Sequence, residues 1–247
     1  MKEYHIFYAP SVATTHTLPA DESAHAVRVL RMKEGDTLCA TDGCGRFYEC
    51  TLTLASPKGC RVCIDSEREE APLWNGSIHL AVAPTKNMDR IEWFAEKATE
   101  IGLDSIFFLS CKNSERRVVK TDRVERIVVA AMKQSHKARK PAVSEMQTFK
   151  QFVARPFAGQ RFIAHCYPMT DVLPDAPAAD APFLLDALQP SGDALVLIGP
   201  EGDFSLDEVR AALAAGYQSI SLGPSRLRTE TAALVAVHLM NIAKRCK

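Results

Sequence analysis

Two consecutive strand–turn–helix units near the carboxy terminus constrain this chain more than any other feature. Residues 195–205 read Leu-Val-Leu-Ile-Gly-Pro-Glu-Gly-Asp-Phe-Ser, and residues 219–233 read Ser-Ile-Ser-Leu-Gly-Pro-Ser-Arg-Leu-Arg-Thr-Glu-Thr-Ala-Ala. The first predicts a buried strand over 195–198, stopped where Pro200 presets φ between Gly199 and Gly202. A helix follows, because Ser205 stands three residues before Glu208, the capping-box spacing, and Leu206, Val209 and Leu213 recur at helical intervals. The second repeats the plan, with a strand over 220–222, a Gly223-Pro224 turn, and a helix from Thr229 toward Lys244. Glycine turns and helix N-termini thus meet at two strand ends, where ligands collect in open α/β sheets. Either turn alone is ordinary. The pair weighs more, because the second leads into Arg226, Arg228, Thr229 and Glu230, a polar cluster set between an apolar strand and the apolar run 232–237.

Ahead of these units, strands at 78–83, 105–109 and 161–164 alternate with helices at 88–101, 122–137 and 149–153. That alternation predicts a mostly parallel sheet covered on both faces. Residues 4–9, 37–41, 47–54 and 60–64 read instead as short strands, with Asp42-Gly43-Cys44-Gly45 as a hairpin and 22–32 as a helix whose Ala26, Val29 and Leu30 face inward. Such a count suits a small, partly closed β-barrel. The charged stretch 67–72, ending in Pro72, divides the chain into domains 1–70 and 73–247.

Composition narrows the function. The formal net charge of the 247 residues is zero, so any nucleic-acid contact would require a local patch rather than bulk charge. Between Lys112 and Lys140 there are ten Lys or Arg against three acidic residues, which reads either as a phosphate-binding surface or as a solvated helix face with pairs such as Asp122–Arg126. Residues 168–193 reverse the bias, with five aspartates, five prolines and no Lys or Arg, and predict a surface loop unsuited to a nucleic-acid contact. Eight cysteines raise the question of metal. Cys60 and Cys63 fall on one alternating strand that points their sulfurs to opposite faces, and Cys39 and Cys44 are separated by four residues. A closed zinc site wants four convergent ligands, so no metal is expected and the thiols are read as reduced. No apolar run approaches the ~20 residues that span a bilayer, and Met1-Lys-Glu-Tyr-His lacks a signal-peptide core, giving a soluble cytoplasmic protein as the expectation.

Residues 198–205 followed by 222–232 resemble the signature of the ribosomal small-subunit RNA (uracil-N3)-methyltransferases of the RsmE type, members of the SPOUT superfamily. The resemblance extends through Lys86, Arg90, Glu92, Lys97, Glu100 and Gly102, through Ser114-Glu115-Arg116 and Gln134-Ser135, and to residues 29–36, leaving 148–193 poorly matched. It implies a PUA-like RNA-binding β-barrel over 1–70, followed over 73–247 by a SPOUT α/β methyltransferase domain with a C-terminal trefoil knot. Periodicity alone would give an unknotted doubly wound sheet. It also implies a homodimer paired through knot-adjacent helices, a contact that Leu234, Val237, His238, Met240 and Ile242 would suit, although an internal core face explains the same residues more simply. The implied cofactor is S-adenosyl-L-methionine, lined by Ile198, Gly199, Pro200, Gly202, Leu222, Gly223, Leu227 and Thr229, with a third segment near residues 184–186. The implied substrate is 16S rRNA, free or in the assembled small subunit, held by Arg28, Arg31, Lys86, Arg90 and Arg116. Three residues depart from the family pattern: Asp203 stands where many members carry a glycine, and Lys133 and Lys137 where Glu and Arg are common.

Methylating uracil at N3 means removing the imide proton and letting nitrogen attack a sulfonium methyl in line. Arg228 could stabilise negative charge on the uracil oxygens, while Glu230 or Glu201 could orient it or accept the proton. Glu230 would equally suit a first-turn helix acid paired with Arg228. Two other classes stay open. A nucleotide-binding enzyme could use the Gly-Pro-Glu-Gly turn as a phosphate cradle, although the chain has neither a Walker lysine pattern nor a Gly-x-Gly-x-x-Gly fingerprint. An RNA-binding protein of the same fold could lack methyl transfer.

Overall fold

The computed structural model describes residues 5–173 and 180–245. They form two compact units, the first comprising residues up to Ala71 together with Val129–Lys140, the second Pro72–Val128 and the residues from Pro141 onward. Residues 129–140 therefore count with the first unit, not with the rest of 73–247. The reason is local hydrogen bonding. Ala138 N donates to Glu70 Oε2 at 2.9 Å, Thr41 Oγ1 to the Ala138 carbonyl at 3.2 Å, Lys140 N to the Gly43 carbonyl at 2.9 Å and Arg139 Nη1 to the Cys44 carbonyl at 3.1 Å.

The first unit is a four-stranded sheet of β1 (Ile6–Tyr8), β2 (Thr37–Thr41), β3 (Arg46–Leu54) and β4 (Arg61–Glu69), in that order. β1 runs parallel to β2 and the other pairs are antiparallel. Register shifts in the β3–β4 ladder at Glu49/Cys50 and Leu52/Leu54 bend the sheet. Beyond β4, Leu18 N donates to the Cys60 carbonyl and Val62 N to the His16 carbonyl, so residues 16–18 extend the far edge. Phe7, Leu38, Cys50 and Leu52 are buried between the sheet and its helical cover. That cover is not one helix over 22–32. An α-helix, Ala20–Ala24, passes into a π-helical turn, His25–Val29, closed by Leu30 N donating to the His25 carbonyl at 3.1 Å. The wider turn changes which residues share a face. Ala26 is buried as expected, but Val29 is 64 % exposed, which corrects its inward assignment. Tyr4, where the first strand was expected to begin, lies outside the described residues.

The second unit is a seven-stranded parallel sheet of β5 (Ile78–Val82), β6 (Ser105–Ser110), β7 (Ala142–Val143), β8 (Gln147–Thr148), β9 (Gln160–Ala164), β10 (Ala194–Ile198) and β11 (Gln218–Ile220). Its order is β11-β9-β10-β5-β6-β7, with β8 also on β6. Every residue of β10 is buried, as a central parallel strand covered on both faces must be. Val196 and Ile198 meet Ile91, Phe94, Ala233 and Val237 from helices Met88–Ile101 and Thr229–Lys244. Leu195 and Leu197 turn the other way, onto Phe149, Phe152 and Val209 from helices Phe149–Val153 and Leu206–Ala214. The segment 168–193 is more built-in than its composition implies. Short helices Met169–Val172 and Leu184–Ala187 bury Val172 and Leu184 completely, because a few apolar residues among the prolines reach the two cores. Residues 174–179 of that segment lie outside the described residues.

Candidate active site

Because the second sheet is parallel throughout, the carboxyl ends of its strands share one edge. β10, late in the chain, slots between β5 and β9, so the turn over 199–204 rises at the centre of that edge with the loops after β5, β6 and β9 around it. The hydrogen bonds tie it to each. From the β5 loop, Lys86 N donates to Glu201 Oε1 at 2.9 Å. From the β6 loop, Asn113 Nδ2 donates to the carbonyls of Gly202 and Asp203, both at 3.1 Å. From the β9 loop, Cys166 N donates to Asp203 Oδ2 at 2.8 Å and Tyr167 OH to the Phe204 carbonyl at 2.8 Å. The following helix is capped as expected: Ser205 Oγ accepts from Glu208 N, Glu208 Oε2 accepts from Ser205 N at 2.9 Å, and Glu208 Oε1 also receives Lys112 N at 2.8 Å.

The second bend follows β11, which ends at Ile220 rather than Leu222. Ser221 leaves the sheet to exchange hydrogen bonds with the short-helix segment, donating from N to the Pro182 carbonyl at 2.8 Å and accepting Leu184 N at 2.9 Å. Gly223 takes φ +117°, and a Cβ there would meet nothing within 4 Å, so its backbone faces open space. Arg228 occupies the N-cap position of helix Thr229–Lys244, and Thr229 Oγ1 donates to the Gly199 carbonyl at 3.2 Å. One hydroxyl thereby joins the two bends.

These contacts show where each expected site residue stands. Ile198 and Pro200 are buried beneath the first bend, Gly202 and Glu201 are exposed on it, and Leu222, Gly223 and Leu227 are half-buried on the second. Thr229 is buried with its hydroxyl committed to Gly199. Arg228 is exposed and forms no side-chain hydrogen bond or ion pair among the described residues. Glu230 is 7 % exposed, and its partner is not Arg228 but Arg90, whose Nη1 lies 3.4 Å from Oε1; Oε2 is enclosed without a partner among the described residues. Arg116 Nε donates to the Thr85 carbonyl at 3.1 Å and Nη2 to the Lys86 carbonyl, while Lys86 Nζ lies 3.0 Å from Glu115. Two of the five expected RNA-binding cations, Arg90 and Arg116, thus hold neighbouring parts of the edge. Arg28 and Arg31 lie on the first unit, both exposed, with Arg31 at φ +56°.

Residues 165–167 were missed as site residues. The β9 loop stands between the two bends because β9 pairs with both β10 and β11. His165 Nε2 shares a hydrogen bond of 2.9 Å with Ser219 Oγ on β11. Burial pushes the imidazole pKa down, against the pull of the Asp203 carboxylate. The signal was available: a polar His-Cys-Tyr run directly after a predicted strand is a strand-end loop.

A methyl-donating sulfonium nucleoside needs an apolar slot and exposed main-chain groups. The half-buried Leu222 and Leu227 and the open backbone at Gly223 fit that requirement. Among the described residues no group of His, Cys, Asp and Glu side chains could hold a metal ion.

Comparison with known proteins agrees with the geometry. Residues 72–241 match the RNA methyltransferase domain family, and residues 18–64 match the RNA methyltransferase PUA domain family. The chain is 31 % identical over 252 residues to ribosomal RNA small subunit methyltransferase E of Mycobacterium bovis, covering 96 % of this chain and 91 % of the relative. A crystal structure described as a probable rRNA-methyltransferase from Porphyromonas gingivalis superposes with a TM-score of 0.88 at 40 % identity, over 97 % of this chain and 98 % of that one. Ribosomal RNA small subunit methyltransferase E from Neisseria gonorrhoeae, solved bound to S-adenosyl methionine, superposes at 0.82 with 26 % identity over 97 % and 98 %. By sequence along nearly its whole length and by fold, the chain belongs to the ribosomal RNA small subunit methyltransferase E family.

Proposed function

We propose that this protein is an S-adenosyl-L-methionine-dependent methyltransferase acting on small-subunit ribosomal RNA, and that it methylates N3 of a uridine. The observation that carries the reading is the Thr229–Gly199 hydrogen bond, which sets two glycine bends side by side at one sheet edge. When bound, the cofactor supplies an electrophilic methyl group on a cationic sulfur. The protein's share is to hold the base in line, take its imide proton and exclude water. Arg228, exposed and free to reorient, offers its guanidinium to the uracil oxygens as negative charge develops. Glu230, held by Arg90, and Glu201, held by the Lys86 amide, are the carboxylates that can accept the N3 proton.

The PUA-like unit, with the exposed Arg28 and Arg31, serves in this reading to hold RNA. A trefoil knot through the carboxy-terminal helix and a homodimer belong to the same reading. Trp93 and Ile242, 44 % and 40 % exposed on two helices of one face, support a subunit contact there. Among the described residues no helix is long and apolar enough to cross a membrane, which fits the cytoplasmic setting proposed.

The test is methyl transfer to unmodified small-subunit RNA, free and assembled, with the product nucleoside identified by mass. The expected product is 3-methyluridine. Arg228→Ala should lower turnover by ~10²–10³-fold, the scale of one lost charge stabiliser, while calorimetry still registers S-adenosylmethionine binding. Cofactor binding by the wild type without methyl incorporation would point to the RNA-binding alternative.

A further inference from the structure

Asp203 closes the Gly-Pro-Glu-Gly bend, and the structure gives the aspartate two tasks. Its backbone takes φ +62°, a left-handed conformation that glycine adopts freely and that aspartate tolerates better than most residues. Its carboxylate then reaches in two directions. Oδ1 accepts Phe204 N at 2.7 Å within the bend, and Oδ2 accepts Cys166 N at 2.8 Å from the β9 loop. A glycine could reproduce the backbone but neither bond. The β9 loop has further anchors in Tyr167 OH on the Phe204 carbonyl and His165 on Ser219, and Oδ2 holds the backbone N of Cys166, the residue standing exposed between them.

We propose that Asp203 is a positioning residue for the cofactor: it locks the Gly-Pro-Glu-Gly bend to the β9 loop and so sets the width of the slot between the two bends. The proposal rests on the reading of that slot as the S-adenosylmethionine site. Asp203 acts through the Cys166 amide and the bend, not by touching the reacting atoms. Its loss therefore weakens cofactor binding and leaves turnover at saturating cofactor close to wild type.

The test uses two variants with different defects. Asp203→Gly keeps the left-handed backbone without strain and deletes both carboxylate bonds. Asp203→Asn keeps an oxygen acceptor for Phe204 N but sets an NH₂ group against Cys166 N. A charge-assisted hydrogen bond of this kind corresponds to roughly a tenfold change in affinity. Calorimetry should show S-adenosylmethionine binding weakened about tenfold in both variants, with KM for the cofactor rising in step and kcat retained. Alkylation of Cys166, followed by peptide mass mapping, should be slowed by cofactor, and both variants should need about tenfold more cofactor than wild type for the same fractional slowing, a ratio from which the thiol's own reactivity cancels. Wild-type cofactor affinity in both variants, or protection of Cys166 at the wild-type cofactor concentration, would overturn the proposal. Absence of cofactor binding by the wild-type protein would overturn the underlying reading of the slot instead.

Discussion

Thr229 shows how much a single side chain can decide. Its hydroxyl donates to a carbonyl on the other bend, and both groups are out of water. Thr229→Val keeps the shape and leaves the Gly199 oxygen without its donor, which costs about 1–3 kcal/mol. Thr229→Ser keeps the bond. Thermal unfolding should therefore separate the two variants, and S-adenosylmethionine affinity should fall in the valine variant only. Equal melting temperatures would mean that the bends are held together by something else. The residue scale is also where the sequence was least explicit. Thr229 was legible as part of a polar cluster, but not that its hydroxyl would be consumed internally, and Arg90 was legible as a cation, but not that it would face Glu230. Partner choice is a property of three-dimensional proximity, which spacing along a chain does not encode.

Elements were legible where local chemistry marks their ends. Helix Met88–Ile101 follows from apolar spacing and stops at Gly102, whose φ of +125° no other residue adopts easily. Helix Leu206–Ala214 follows from Ser205 and Glu208. The two-residue strands Ala142–Val143 and Gln147–Thr148 exist only through their pairing with Ser105–Ser110, so nothing local announces them. The π-helical turn at His25–Val29 escaped for the same reason, since its sequence spacing reads as ordinary helix. The Ser205 cap carries its own prediction. Ser205→Ala removes one cap acceptor and should cost about 1 kcal/mol. Glu208→Ala should cost more, because Glu208 satisfies both Ser205 N and Lys112 N. Denaturant midpoints of the two variants check the order, and a larger loss at Ser205 would contradict it.

At the scale of the whole molecule, strand order was the unreadable quantity: alternation predicted a parallel sheet, but placing β10 between β5 and β9 requires long-range pairing. The same arrangement collects a polar cluster at the opposite, amino-terminal edge. His79 on β5 lies edge-on to Phe157 at 5.4 Å, with Nδ1 enclosed and unpartnered among the described residues. Burial lowers its pKa below 6.5, Asp104 and Asp193 oppose the shift, and Lys244 adds to it. Lys244, itself fully buried and donating to the Gly192 carbonyl, has its pKa lowered from 10.5, again by burial and against Asp193. Between the folded and unfolded pKa of each group the unfolded chain binds more protons, so stability rises with pH across both windows. On the acid side, stability should fall as pH drops through 6.5, the unfolded histidine value. His165, shifted the same way, contributes with the same sign. Urea midpoints between about pH 5 and 7.5 should therefore slope upward in wild type and less steeply in His79→Phe, with the residual slope removed further in His79→Phe/His165→Phe. Lys244→Met should flatten the alkaline rise and leave the acid slope intact. A His79→Phe protein as acid-sensitive as wild type would mean that this edge does not hold a neutral imidazole.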